Sequence, residues 1–197
     1  MTKNKIENAK KLLRSGELVI FPTETVYGLG GNANDKNAIR RIYNIKKRPA
    51  NNPIICHFKS LNEIKKDFYL SELEELLAKK LWPGPITLIL RKKTNSKISH
   101  LVSNKSSYIG CRIPKNKIAL QLLKGLNFPV AAPSANFSER TSVTKFEDLD
   151  KNLVKEIFTI KGEQSKLGLE STVIKVKKNI IEVLRLGSIT PNEILKV

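Results

Sequence analysis

Cysteine is scarce in this 197-residue chain: Cys56 and Cys111 are the only two. They stand in different segments, each beside a strand-like apolar run, and neither has metal-ligand spacing. The expectation is two small buried residues without a disulfide, in a reducing cytoplasm. Histidine is equally scarce, with His57 at the end of an apolar run and His100 in a polar stretch. Two distant histidines and no cysteine cluster argue against a zinc site. No stretch approaches the roughly 18 apolar residues of a membrane span, and the first residues lack the apolar core of a secretory leader. The G-x-G-x-x-G and G-x-x-x-x-G-K-[ST] phosphate loops are missing too. Ser134 lacks the G-x-S-x-G elbow, so it reads as a hydrogen-bonding residue and not a nucleophile. Acidic residues are few, 18 against 36 basic ones, for a formal charge of +18. An anionic partner (nucleotide, RNA or an acidic membrane surface) and plain drift toward lysine account for this excess equally well. The lysines run from Lys3 to Lys196 without a dense block.

What is present is an ordinary folding composition. Apolar residues make up 40%, and a chain of this length buries roughly 70% of its unfolded surface, so no staple is required. A single domain over residues 1–197 is the expectation. Ile6, Ala9, Leu12 and Leu13 put a helix over 5–14, closed by Gly16. Leu18–Phe21 reads as a buried strand opening into a loop. Asn34 or Asp35 caps a helix through about Lys46. Residues 53–58 read as a strand, and Ser71 with Glu74 form a capping box for a helix over about 72–81. Residues 82–85 are a turn, 86–91 a strand, 94–106 a polar loop, 107–113 a strand and 115–124 a helix. A strand at 128–132 is followed by a mobile loop at 137–146. Strands at 156–160, 172–177 and 180–185 precede a short helix begun by Thr190-Pro191. Strands interleaved with helices make the class α/β.

Three stretches carry candidate chemistry: 21–31 (FPTETVYGLGG), 46–57 (KKRPANNPIICH) and 133–136 (PSAN). Pro49 disfavours the α region for Arg48, so Lys46 and Arg48 are read as sharing one face of an extended segment. Two such cations suit a polyphosphate; the bland alternative is a solvated helix end. Gly28, Gly30 and Gly31 read as a tight turn. Asn136 donates and accepts at once, which suits a phosphate or ribose. Glu24 and Glu170 are the carboxylates nearest these loops, and either is a candidate contact for Mg²⁺. Ligands in open α/β sheets sit at strand ends, so the three loops are expected to meet.

Together with WPGPITLIL at 82–90, CRIP at 111–114, LEST at 169–172 and LRLG at 184–187, these stretches resemble the threonylcarbamoyl-AMP synthase family, also called YrdC-like. The resemblance runs in family order over nearly the whole chain. It implies a twisted, open mixed sheet with flanking helices and a concave basic cleft. It also implies a reaction in which L-threonine, bicarbonate and ATP give threonylcarbamoyl-adenylate and pyrophosphate, with Mg²⁺. The product would pass to a separate transferase complex that modifies tRNA. The family signature falls on Lys46, Arg48, Ser134 and Asn136 as catalytic residues. By the same resemblance Arg48, Asn52, Ser134, Ser142 and Arg185 face ATP, while Thr25, His57, Arg112 and Ser171 line the threonine side.

The chain departs from the family pattern in places. Ser138-Glu139 stands where a Ser-Gly pair is usual, and Tyr108 where a smaller hydroxyl residue is common. Some relatives carry a second domain that closes over the site; a chain ending at Val197 is expected either to leave that closure to something else or to keep the cleft open. A reading from another class is an RNA-binding module for tRNA or double-stranded RNA, although no aromatic-interleaved basic patch stands out in the sequence. The related carbamoyl-adenylate chemistry of hydrogenase-maturation proteins is a third reading, disfavoured by the missing zinc-finger cysteines.

Overall fold

The computed structural model describes residues 2–137 and 141–196. The first helix, α1 (Thr2–Arg14), leads into an antiparallel pair of strands, β1 (Val19–Pro22) and β2 (Tyr27–Asn32). Successive strand residues point to opposite faces, and β1 uses both. Ile20 joins one apolar cluster, with Leu29, Ile39 and Ile42; Val19 and Phe21 join another, with Ile6, Leu13, Leu122 and Leu123. The unbroken apolar run at 18–21 is thus a strand covered on both sides.

Helix α2 (Lys36–Lys46) is capped by Asp35, whose side chain accepts from the Asn37 amide. Strand β3 (Cys56–His57) is far shorter than the strand expected over 53–58. Pro53 has no amide hydrogen to give a ladder, and the Ile54 amide bonds to Val102 instead. Helix α3 (Leu61–Asp67) and strand β4 (Phe68–Tyr69) follow, then α4 (Glu72–Leu81) with the full Ser71–Glu74 capping box. Strands β5 (Ile86–Lys92) and β6 (Tyr108–Arg112) flank the polar stretch, in which His100–Ser103 form one 3-10 turn. Helix α5 (Lys117–Lys124) and strand β7 (Val130–Ala131) come next, followed by helix α6 (Lys151–Glu156) and strand β8 (Phe158–Thr159). The hairpin of β9 (Thr172–Lys177) and β10 (Ile180–Arg185) and helix α7 (Pro191–Leu195) complete the described chain.

The strands form one mixed sheet of ten, in the order β10-β9-β5-β6-β3-β7-β2-β1-β8, with β4 beside β5. The pairs β1–β8, β3–β6 and β5–β9 are parallel and the rest antiparallel. The mixed α/β expectation therefore holds. Helices α3 and α6 and strand β4 were not anticipated. Their caps, Ser60 and Asp150, were visible in the sequence, but each helix is too short, at seven and six residues, to show a period. The expected mobile loop at 137–146 is partly tied down. The Tyr27 amide donates to Val143 and the Ser165 amide to Thr144, while Ser138 and Glu139 lie outside the described residues. Both cysteines are buried and free, and they are register partners across β3 and β6.

The glycine cluster is not a turn. Gly28, Gly30 and Gly31 all lie on β2, and at Gly30 and Gly31 the neighbours pack too closely for a side chain. A Cβ on Gly30 would come within 2.6 Å of the Phe21 ring and 2.8 Å of Val130. We expect Gly30→Ala to destabilise the fold by about 1–3 kcal/mol, the usual range for overpacking. Denaturant unfolding should show a lower midpoint at unchanged slope.

Candidate active site

Helix α2 ends by delivering a lysine into the protein. Lys46 is its last residue and is only 2% exposed. Lys47 turns left-handed (φ 49°), and its amide caps the carbonyls of Tyr43 and Asn44. The expected extended segment is therefore absent. A helix end and a left-handed reversal bring Lys46 and Arg48 to the same place, and the solvated helix end is ruled out by Lys46's burial. The Lys46 ammonium donates to the carbonyl of Ser134 at 2.5 Å and also to that of Asn136. Burial, reinforced by the Arg48 charge and opposed by Glu170, pulls its pKa down to about 8. Arg48 donates to the Asn52 side chain at 2.7 Å and to the Pro53 carbonyl at 2.9 Å.

The 133–136 segment runs along β2 without forming a regular strand. Leu29 donates to the Pro133 carbonyl, Ala135 donates to the Tyr27 carbonyl, and Gly28 bridges Ser134. The 23–26 loop is closed locally by the Thr23 hydroxyl, which donates to the Val26 carbonyl at 2.6 Å. Behind it, the Ser165 hydroxyl donates to the Thr23 carbonyl and the Leu167 amide to that of Glu24. This polar buttress has no period and went unread in the sequence.

A buried ion pair crosses the sheet. Arg112, at the end of β6, donates to Glu24 at 2.7 Å and to the Thr25 hydroxyl at 3.0 Å. Glu24 also accepts from the Asn116 amide, so both its oxygens are engaged within the protein and do not face a metal. Burial alone would raise the Glu24 carboxyl, but the Arg112 charge and hydrogen bond outweigh it and hold it below the usual carboxylate range. His57, the register partner of Arg112, is 4% exposed. Burial, reinforced by the Arg112 charge, pushes its imidazole down to about 3, so it is neutral at ordinary pH. Its Nδ1 is buried without a hydrogen-bond partner among the described residues.

These pieces line one cavity of about 690 Å³. Lys46, Arg48, Asn52, Ser134, Asn136, Ser142 and Arg185 border it, as do Thr25, His57, Arg112 and Ser171. All eleven residues assigned by the resemblance thus reach the same space, whereas Glu24 is not among the cavity's lining residues. Four cations and a single carboxylate, Glu170, are among its described lining residues. Ser171 stands between the two predicted groups: its hydroxyl bonds to Thr87 at 2.8 Å and accepts from Arg185 at 3.2 Å. Gly187 lets this corner close, since a Cβ there would lie 2.2 Å from the Glu170 carbonyl.

On the same sheet face, two residues beyond the cavity-lining Gly110 and Ile89, lies a cation–aromatic row. Tyr69, Arg91 and Tyr108 are in register across β4, β5 and β6. Arg91 and Lys93 sit over the Tyr69 ring at 5.9 and 5.6 Å, and Lys175 over Tyr108 at 4.1 Å. The sequence hid this patch because the sheet assembles it from separate strands. His100 is exposed and remote from the cavity lining. No cluster of three metal-binding side chains and no helix long and apolar enough to cross a membrane occur among the described residues.

Removing one partner of a buried ion pair strands the other's charge. Glu24→Ala should therefore cost about 3–5 kcal/mol of stability. Denaturant unfolding at neutral pH would measure it, and an effect below about 1 kcal/mol, the scale of exposed pairs, would contradict the burial.

Residues 11–187 match the Sua5/YciO/YrdC family, described as "Telomere recombination". The chain is 41% identical over 98% of its length to the threonylcarbamoyl-AMP synthase of Pyrococcus abyssi (strain GE5 / Orsay), covering 57% of that protein. It is 40% identical over 96% of its length to the synthase of Bacillus subtilis (strain 168), covering 55% of it. The crystal structure of P. abyssi Sua5 complexed with L-threonine superposes with a TM-score of 0.92 at 39% identity, covering 97% of this chain and 56% of that one. The chain thus spans about half the length of these relatives.

Proposed function

The chain belongs to the Sua5/YciO/YrdC family, and on that premise we propose that it makes threonylcarbamoyl-adenylate from L-threonine, bicarbonate and ATP. The observation that carries the reading is the single cavity in which a cationic group, a neutral buried imidazole and a hydroxyl-rich loop converge. The threonine amine and bicarbonate form a carbamate with loss of water. A carbamate oxygen then attacks the α-phosphorus of ATP, and pyrophosphate leaves.

Every reactant carries negative charge, so the protein's work is positioning and charge stabilisation. Arg48, Arg185, Asn52, Ser134 and Ser142 are assigned to ATP, with Lys46 and Asn136 shaping the Ser134 loop beside it. Thr25, Arg112, Ser171 and His57 are assigned to threonine. His57 lines the cavity as a neutral imidazole, which accepts as well as donates and so suits a substrate hydroxyl or amine. The L-threonine in the P. abyssi structure supports such a site. Mg²⁺ would arrive on the ATP phosphates, which needs few protein ligands and fits a cavity with one carboxylate among its described lining residues; it would supply charge neutralisation there. We further assign the product to a separate transferase acting on tRNA, and the buried free thiols suit the cytoplasm.

Pyrophosphate release should require both threonine and bicarbonate, with serine a poor substitute. Arg48→Ala should lower its rate by roughly 10²–10³, and Lys46→Ala by at least as much, since it also frees the Ser134 and Asn136 carbonyls. Near-normal rates in both would sink the assignment. Because Lys46 loses its proton near pH 8, affinity for ATP should fall as pH rises through that value. Bound phosphate should move the midpoint upward.

One observation favours a second reading, an RNA-binding module. The Tyr69–Arg91–Tyr108 row, with its stacked cations, has the aromatic and basic composition that holds unpaired bases. Salt-sensitive RNA binding lost in a Tyr69→Ala/Tyr108→Ala double variant, with no threonine-dependent pyrophosphate release, would favour it over the synthase.

A further inference from the structure

We propose that Glu170 is a resident counter-anion, a positioning carboxylate that occupies Arg185 and Ser142 until a polyphosphate takes its place. The proposal rests on the nucleotide reading of the cavity and concerns a residue that reading leaves without a role.

Glu170 is the one carboxylate among the described lining residues. One oxygen accepts from the Ser142 hydroxyl at 2.8 Å, and the other pairs with Arg185 Nη1. A hydroxyl and a guanidinium spanned by two oxygens of one anion is the arrangement a phosphate group would make with the same donors. The carboxylate therefore imitates the ligand.

Arg185 does not need Glu170 to stay in place. Its Nε and Nη2 donate to the Ser171 carbonyl at 3.3 and 2.8 Å, and Nη2 also to the Ser171 hydroxyl. The Glu170 backbone is held separately, its carbonyl accepting from the Ser188 amide and hydroxyl, both at 3.0 Å. The side chain can swing away while both backbone and guanidinium remain fixed.

The two ion pairs of the site differ in the way this role requires. Arg112 and Glu24 are 4% and 12% exposed, whereas Arg185 and Glu170 are 40% and 34% exposed. A half-exposed pair is weak and screened by salt, so it yields readily. The field of Glu170 also reaches Lys46, Arg48 and Arg112, raising the proton affinity of each. One movable charge thus balances the cluster. A multiply charged phosphate chain displaces it easily and a singly charged anion poorly, so the residue filters ligands by charge.

The experiment is calorimetric titration with inorganic pyrophosphate, without divalent cations, of the wild type and of Glu170→Gln, Glu170→Ala and Glu170→Asp. Removing a competing charge should tighten binding roughly fivefold in the Gln and Ala variants, the upper end of what a solvent-exposed ion pair is worth. Glu170→Asp, which keeps the charge, should stay near wild type. A merely structural carboxylate gives the opposite sign, because losing it would loosen Arg185 and weaken binding. Equal or weaker affinity in the Gln and Ala variants, or no saturable pyrophosphate binding in any form, overturns the proposal. The readout needs neither threonine nor turnover. Tightening without adenylate synthesis would count against the synthase reading alone, and synthesis without tightening against Glu170 alone.

Discussion

The site depends on burying one ammonium group. Lys46 leaves water at the end of α2 and is compensated by two carbonyls of the 133–136 segment. A lone buried cation costs several kcal/mol unless it is hydrogen-bonded. The helix end, the irregular segment beside β2 and the reversal at Lys47 therefore hold together or fail together. The cost shows in the pKa, pulled down to about 8. The same contact orients Ser134 and Asn136, so the ammonium acts on the cavity partly through the backbone it fixes.

A second buried charge works differently. Arg112 is paired with Glu24 and touches Thr25, and its field helps keep His57 neutral. One end of the cavity is thus a fixed cation beside an uncharged ring, suited to a ligand with both an anionic group and a neutral donor. The other end holds looser, half-exposed charges on Arg48 and Arg185. Rigid charge at one end and yielding charge at the other divide recognition between a small ligand and a flexible polyphosphate.

Much of this was legible in the sequence, for physical reasons that differ by element. Helix α4 was read to its ends because a capping box marks a start by chemistry. Strands β9 and β10 were read to their ends because each is a short run rich in β-branched and apolar residues, and the left-handed Lys178-Asn179 pair turns the chain between them. The convergence of the three motif loops followed from where ligands sit in α/β sheets. Lys46 and Arg48 were rightly paired on an incorrect backbone, since a left-handed residue such as Lys47 has no marker when it is not glycine. The glycines of β2 were misread because close packing leaves the same trace as a turn: Gly30 lies against Phe21 and Val130 of the neighbouring strands, and Gly31 against Ala38 and Ile42 of α2. The Arg112–Glu24 pair and the cation–aromatic row stayed hidden, as both join residues from distant segments whose meeting only the strand order decides.

The two thiols give the molecule a built-in reporter. Cys56 and Cys111 face each other across neighbouring strands, and burial pushes both well above the ordinary thiol range. The thiolate is the form that attacks an alkylating reagent, so neither cysteine reacts while β3 and β6 stay closed. Those strands also carry His57 and Arg112, the residues next along each chain. The rate of alkylation at either cysteine therefore times the opening of the sheet beside the cavity, without any residue having to be introduced as a probe.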